Sequence, residues 1–194
     1  MHSLSASFVL GYHGCDQAVG EGLLDGDDFK PSKNDYDWLG PGIYFWEANP
    51  QRGLDFAREL ASSKRGKDKI RKAAVVGAII ELGLCLDLTS TAGVRQVRIA
   101  HQRLVEIHAV AELPLPENNP DGLRRNLDCA VVTALHGIRR EANEPAIDTV
   151  KGVFIEGKPI YANAGFHEKT HVQICVCNPD RIKGVFRVPP RFLV

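Results

Sequence analysis

Strand-like segments stand at both ends of this chain and helical ones fill its middle, which limits the fold more than any single residue does. Residues 8–13 and 43–46 read as strands. The unbroken, β-branched run 73–82 reads as a buried strand, and Gly77 inside it predicts a bulge or a close approach by another backbone. Residues 84–88 continue as a second short strand or its bend. Residues 150–157, 170–177 and 182–188 are again strand-like. Between these groups, 91–111 carries apolar residues at helical spacing until Pro114 and Pro116 stop it, and 123–140 shows an apolar stripe through Leu127, Val131, Leu135 and Ile138. Strands at the ends around a helical centre predict an α+β fold with a mixed or antiparallel sheet.

Two shorter helices have local start signals. Asp16 can cap a helix running to Leu24, because its carboxylate accepts free first-turn amides. Asn49 can cap another whose first position is Pro50, where the missing amide costs nothing. Leu54 and Ala57 lie on one face of that helix.

At 194 residues and 44% apolar composition the chain is long enough for one domain, 1–194, with a helical insertion at about 89–148. Lys and Arg number 24 against 24 Asp and Glu, so net charge steers the chain toward neither nucleic acid nor membrane. No run approaches the roughly 18 apolar residues of a membrane helix, and the N-terminus lacks signal-peptide character. The expected setting is cytoplasmic, with no membrane partner. The run 64–72 is basic (Lys64, Arg65, Lys67, Lys69, Arg71 and Lys72 against Asp68) and reads as a solvated turn leading into the next strand, with a patch that meets an anionic partner as the second reading. The five cysteines are odd in number, contain no C-x-x-C and are expected to be reduced, with Cys15 the most reactive. Cys175 and Cys177 are expected on opposite faces of a strand, a poor arrangement for a shared metal, and no metal site is predicted.

Three segments carry the chemistry: Tyr12-His13-Gly14 ending a strand, Gly40-Pro41-Gly42-Ile43-Tyr44-Phe45, and Gln173 in a strand that runs into Cys177-Asn178-Pro179-Asp180-Arg181-Ile182. In order and type they resemble the motifs of the ADP-ribosyltransferase superfamily, in the branch of diphtheria toxin and the poly(ADP-ribose) polymerases, which places His, Tyr and usually Glu on three strands around NAD. The resemblance covers the two ends of the chain and does not extend to the middle, about 83–148. It implies a split mixed or antiparallel sheet and a mono-ADP-ribosyltransferase that cleaves NAD, its co-substrate, and modifies a protein or nucleic-acid acceptor. A small domain of this kind suits a bacterial toxin or defence effector, with an antitoxin or inhibitor as partner. Two other readings are a non-catalytic NAD or ADP-ribose-binding module and an NAD glycohydrolase.

The resemblance also implies roles. His13 bonds a hydroxyl of the adenosine ribose, Gly14 holds the nicotinamide amide through its main chain, and Tyr44 stacks on the nicotinamide ring. Gly42 belongs to the cofactor-binding set, and Phe56 closes the other side of the ring. His13, Tyr44 and Gln173 form the catalytic set. Gln173 stands where the family carries Glu. A carboxamide can orient a ribose but is no general base and brings no formal charge against developing oxocarbenium character. His171, on the same strand face as Gln173, is the first candidate to supply that function, ahead of Glu168.

Overall fold

The computed structural model describes residues 8–63 and 70–193. Among these residues seven strands form one sheet: β1 (Phe8–Asp16), β2 (Ile43–Glu47), β3 (Ala73–Glu81), β4 (Cys85–Asp87), β5 (Thr149–Phe154), β6 (His171–Val176) and β7 (Ile182–Arg187). Their order is β4-β5-β6-β2-β1-β3-β7, with every pair antiparallel except β4 with β5, so the fold is α+β with a mixed sheet. Among the described residues four α-helices accompany it: α1 (Gln17–Asp25), α2 (Pro50–Ser62), α3 (Thr91–Val110) and α4 (Asn126–Glu141). α3 and α4 fall between β4 and β5, where the sequence predicts a helical insertion. No helix among the described residues is long and apolar enough to cross a membrane.

Local chemistry sets the helix starts. Asp16 accepts from the Ala18 amide at 2.9 Å, and its second oxygen takes the amides of Arg71 and Lys72 at 2.7 and 3.0 Å. One carboxylate thus caps α1 and ties it to the approach of β3. These are the described members of the basic run; Lys64, Arg65, Lys67, Asp68 and Lys69 lie outside the described residues. Asn49 caps α2 through the Arg52 amide, with Pro50 leading the first turn. α4 starts three residues later than its apolar stripe suggests, because its cap comes from outside: the Asn118 side chain accepts from the Leu127 and Asp128 amides at 3.0 and 3.2 Å.

The sheet separates two cores. On one face α1 packs beside a cluster of Ile43, Phe45, Ala78, Ile80, Ile174 and Val176. On the other, α3 and α4 press Ala100, Leu104, Val131 and Leu135 onto Leu86, Val150 and Cys175, and α2 covers β1 to β3. α2 sits unusually deep. A Cβ added at Gly14 would collide with the Gly53 carbonyl oxygen, so strand and helix backbones touch directly. At Gly77 it is the Phe186 ring, not another backbone, that occupies the side-chain space, and the β3/β7 register shifts nearby at Ile79 and Ile80.

Two alanine substitutions test this packing. Gly14→Ala should destabilise the protein by about 1–3 kcal/mol, since an unyielding backbone oxygen blocks the methyl group. Gly137→Ala, inside α4 where an added Cβ meets nothing within 4 Å, should stabilise it by about 0.4–1 kcal/mol. Urea unfolding midpoints of the two variants should move in opposite directions.

Candidate functional site

The three motif segments, up to 160 residues apart in sequence, lie on adjacent strands β1, β2 and β6 at the middle of the sheet. Tyr12 pairs with Trp46, Trp46 with Gln173, and Tyr44 with Cys175. The β1/β2 seam is thin: only Gly11↔Glu47 and Tyr12↔Trp46 pair there, against nine pairs between β1 and β3. Past that point the Tyr44 carbonyl, turned toward β1, accepts from His13 Nδ1 at 2.9 Å. A side chain thus takes the place of a ladder amide at the seam.

Alternation divides the motif residues between the two faces. Tyr44 and Gln173 lie on the α2 face, whereas His13 lies on the α1 face, packed edge-on to Phe29 at 5.4 Å and against Phe45 at 5.7 Å. One slot lined by all three side chains, as the resemblance implies, is therefore not formed. His13 stands laterally beside Phe45, and a residue aligned with Phe45 cannot share Tyr44's face. Burial holds the His13 pKa below its ordinary value, opposed by the bond to the Tyr44 carbonyl. A carbonyl only accepts, so Nδ1 carries the proton of a neutral ring.

The other motif residues have structural partners. Tyr44's hydroxyl accepts from the Leu39 amide at 3.0 Å and donates to the Gly40 carbonyl at 2.8 Å, clamping the turn before β2. Burial, with Cys175 and Asp37 nearby, pushes its pKa far up, so it remains a phenol. Gly42 lets β2 start against β6: a Cβ there would lie 2.5 Å from Cys175 Sγ and 2.6 Å from the Val176 carbonyl oxygen. Gly14 faces the Gly53 carbonyl of α2. Phe56 packs on Trp46, ring centres 4.8 Å apart, and not over Tyr44. Gln173 Oε1 accepts from Trp38 Nε1 at 2.8 Å.

Beside Gln173 on the same face is a cluster that sequence reasoning named only in part. Trp46, Arg52 and His171 are 3%, 8% and 5% exposed. The Arg52 guanidinium lies 5.7 Å from the Trp46 ring centre and pairs with Glu156 at 2.9 Å and Glu59 at 3.7 Å. Lys169 joins the same two carboxylates, Glu59 at 2.8 Å and Glu156 at 3.7 Å. Trp46 Nε1, Arg52 Nε and His171 Nε2 are buried with no hydrogen-bond partner among the described residues. His171 Nδ1 gives its proton to the Lys169 carbonyl at 2.6 Å, and burial lowers the ring's pKa, so Nε2 presents a bare lone pair. Buried donors and a buried acceptor thus stand together unsatisfied, at about 1–3 kcal/mol each. Arg52 carried no sequence signal, because an arginine in the first turn of an amphipathic helix reads as solvated.

Two expectations about the cysteines are corrected. Cys15 is buried, and burial, with Asp16 adding to it, pushes its thiol up to about 11, which disfavours the reactive thiolate. Cys175 and Cys177 lie on one face, since residues two apart on a strand share a side. Cys177 is the half-buried one of the five, 3.9 Å from His136 Nε2 on α4. Hydrogen bonding from the Cys175 thiol, helped by His136, holds its pKa below the ordinary thiol value. Among the described residues no group of three or more His, Cys, Asp or Glu is placed to hold a metal.

Comparison with known proteins adds a distant likeness. The chain is 25% identical over 193 residues to an uncharacterized protein of Methanocaldococcus jannaschii, a match covering 89% of this chain and 83% of the relative. No family model matches, and no solved structure does.

The thiol geometry gives a direct test. At neutral pH iodoacetamide should alkylate Cys177 before Cys15, Cys85, Cys129 or Cys175. A depressed pKa keeps the thiolate populated as pH falls below the ordinary thiol range. His136→Ala should shift the rate–pH curve of Cys177 to higher pH, read by peptide mass spectrometry.

Proposed function

We propose that this chain binds NAD on the α2 face of its central strands and acts as a mono-ADP-ribosyltransferase. The observation that carries this reading is the convergence of the three motifs on neighbouring strands, in the order β6-β2-β1, at the thin seam of the sheet. A seam with two ladder pairs fits the split sheet that the resemblance implies.

The unsatisfied cluster supports the choice of ligand. A nicotinamide carboxamide offers one carbonyl acceptor and two N–H donors. Trp46 Nε1–H and Arg52 Nε–H would serve its oxygen, and the bare His171 Nε2 its N–H. In the transfer the bond from the ribose C1′ to the nicotinamide nitrogen breaks, and nicotinamide leaves with the electron pair. The acceptor nucleophile forms the new bond to C1′ and loses its proton. Gln173 orients the ribose through its amide and takes no proton. His13, on the opposite face, acts as a positioning residue by fixing the Tyr44 carbonyl at the seam. Without a carboxylate at position 173 the rate is low, by about 10²–10³ where a single preorganised electrostatic group is lost.

A second reading, a binding module without turnover, is favoured by one observation: Gln173's only carbonyl oxygen is engaged by Trp38. One experiment separates the two. The protein is incubated with NAD labelled in its adenylate phosphate and with cell extract, and nicotinamide release is followed alongside label in the protein and nucleic-acid fractions. The transferase reading expects macromolecular label that falls at least tenfold in Gln173→Ala and rises in Gln173→Glu. NAD binding with no nicotinamide release, converted to turnover by Gln173→Glu, supports the binding module. Absence of both binding and release defeats both readings.

A further inference from the structure

The helical insertion holds a cavity of about 390 Å³ that the NAD reading does not use. It lies between α3 and α4, with Val97 and Val131 among its apolar walls and the Trp38 ring closing one side. Arg98, His101, Arg125 and Asp128 supply its polar lining. Its size falls at the low end of ligand cavities, enough for one ring with a small substituent and too little for a dinucleotide.

Chemistry narrows the occupant. Trp38 spends its single N–H on Gln173, so what it offers to the cavity is aromatic carbon. Asp128 is already committed: it accepts from Asn118 Nδ2 at 3.0 Å and pairs with Arg125 Nη1 at 3.6 Å. Arg125 is likewise spent, donating through Nε to the Gly122 carbonyl and lying 5.0 Å from the Trp38 ring centre. Arg98 and His101 remain. They are three apart on α3, so they lie on one helix face, and their side chains have no hydrogen bond or ion pair among the described residues. The exposed Arg98 guanidinium and the half-buried His101 imidazole, at the edge of an apolar pocket, match a negative headgroup on a flat apolar body.

We propose that this cavity binds a small aromatic anion, with its ring against Trp38, Val97 and Val131 and its carboxylate or phosphate at Arg98 and His101. The site is independent of the NAD reading and stands or falls on its own binding measurement.

The test is calorimetric titration of the whole protein with phenyl phosphate and with benzoate, which separate the phosphate and carboxylate sources. Benzyl alcohol removes the charge and inorganic phosphate removes the ring. One of the two aromatic anions should bind saturably with one site per chain, at least tenfold tighter than either control. Arg98→Gln should weaken it roughly tenfold or more, as expected for loss of a charge-assisted hydrogen bond. Arg95→Gln, an arginine of the same helix outside the cavity lining, should leave it unchanged. The proposal is overturned if neither aromatic anion binds saturably, if benzyl alcohol or inorganic phosphate binds as tightly, or if Arg98→Gln and Arg95→Gln behave alike.

Discussion

The direct contact between the backbones of α2 and β1 at Gly14 and Gly53 decides how the centre of the molecule is built. Because Gly14 has no side chain, the helix descends onto the strand until the Gly53 carbonyl fills the space a Cβ would need. Arg52 is the neighbour of Gly53, so the same descent carries a guanidinium below the surface and beside Trp46. A buried cation survives only if paired and hydrogen-bonded, and Glu156 on the connection after β5 supplies the close partner. The polar cluster on the α2 face is therefore positioned by close helix–strand packing.

Much of the architecture was legible because its causes are local. Asp16, Asn49 and Pro50 announce helix starts within a turn of where they act. The β-branched run 73–82 announces a buried strand whatever lies around it. The late start of α4 was not legible, since its cap, Asn118, arrives from a separate loop and Arg125, at the usual capping position, makes no side-chain cap. Relative facing was illegible for a similar reason. Alternation within a strand is set by the chain, but which residue of β1 stands beside which residue of β2 is set by register, and register placed His13 beside Phe45. The common face of Cys175 and Cys177 was different: a period of two contains it outright, and the expectation of opposite faces misapplied that rule.

The candidate site was legible as a set of strands and illegible as a set of side-chain directions. Glycines and a tyrosine that resemble a cofactor motif also have full structural employment here, in the clamp at Leu39 and Gly40 and in the close approach of β2 to β6. His171 stood out in the sequence by sharing a face with Gln173; Arg52 and Trp46 became visible only through their burial.

Trp38 belongs at once to the wall of the insertion's cavity and to the hydrogen bond that orients Gln173. If both places bind the ligands proposed for them, that shared membership links the two equilibria. An occupant that holds the indole where it is favours the present orientation of the Gln173 amide, and one that displaces it frees the carbonyl oxygen for another donor. Linkage is reciprocal in binding free energy, so whatever claims that oxygen alters the cavity's affinity by the same factor. The helical insertion, which has no counterpart in the motif-bearing ends of the chain, therefore meets the strand at the centre of the sheet through one shared indole.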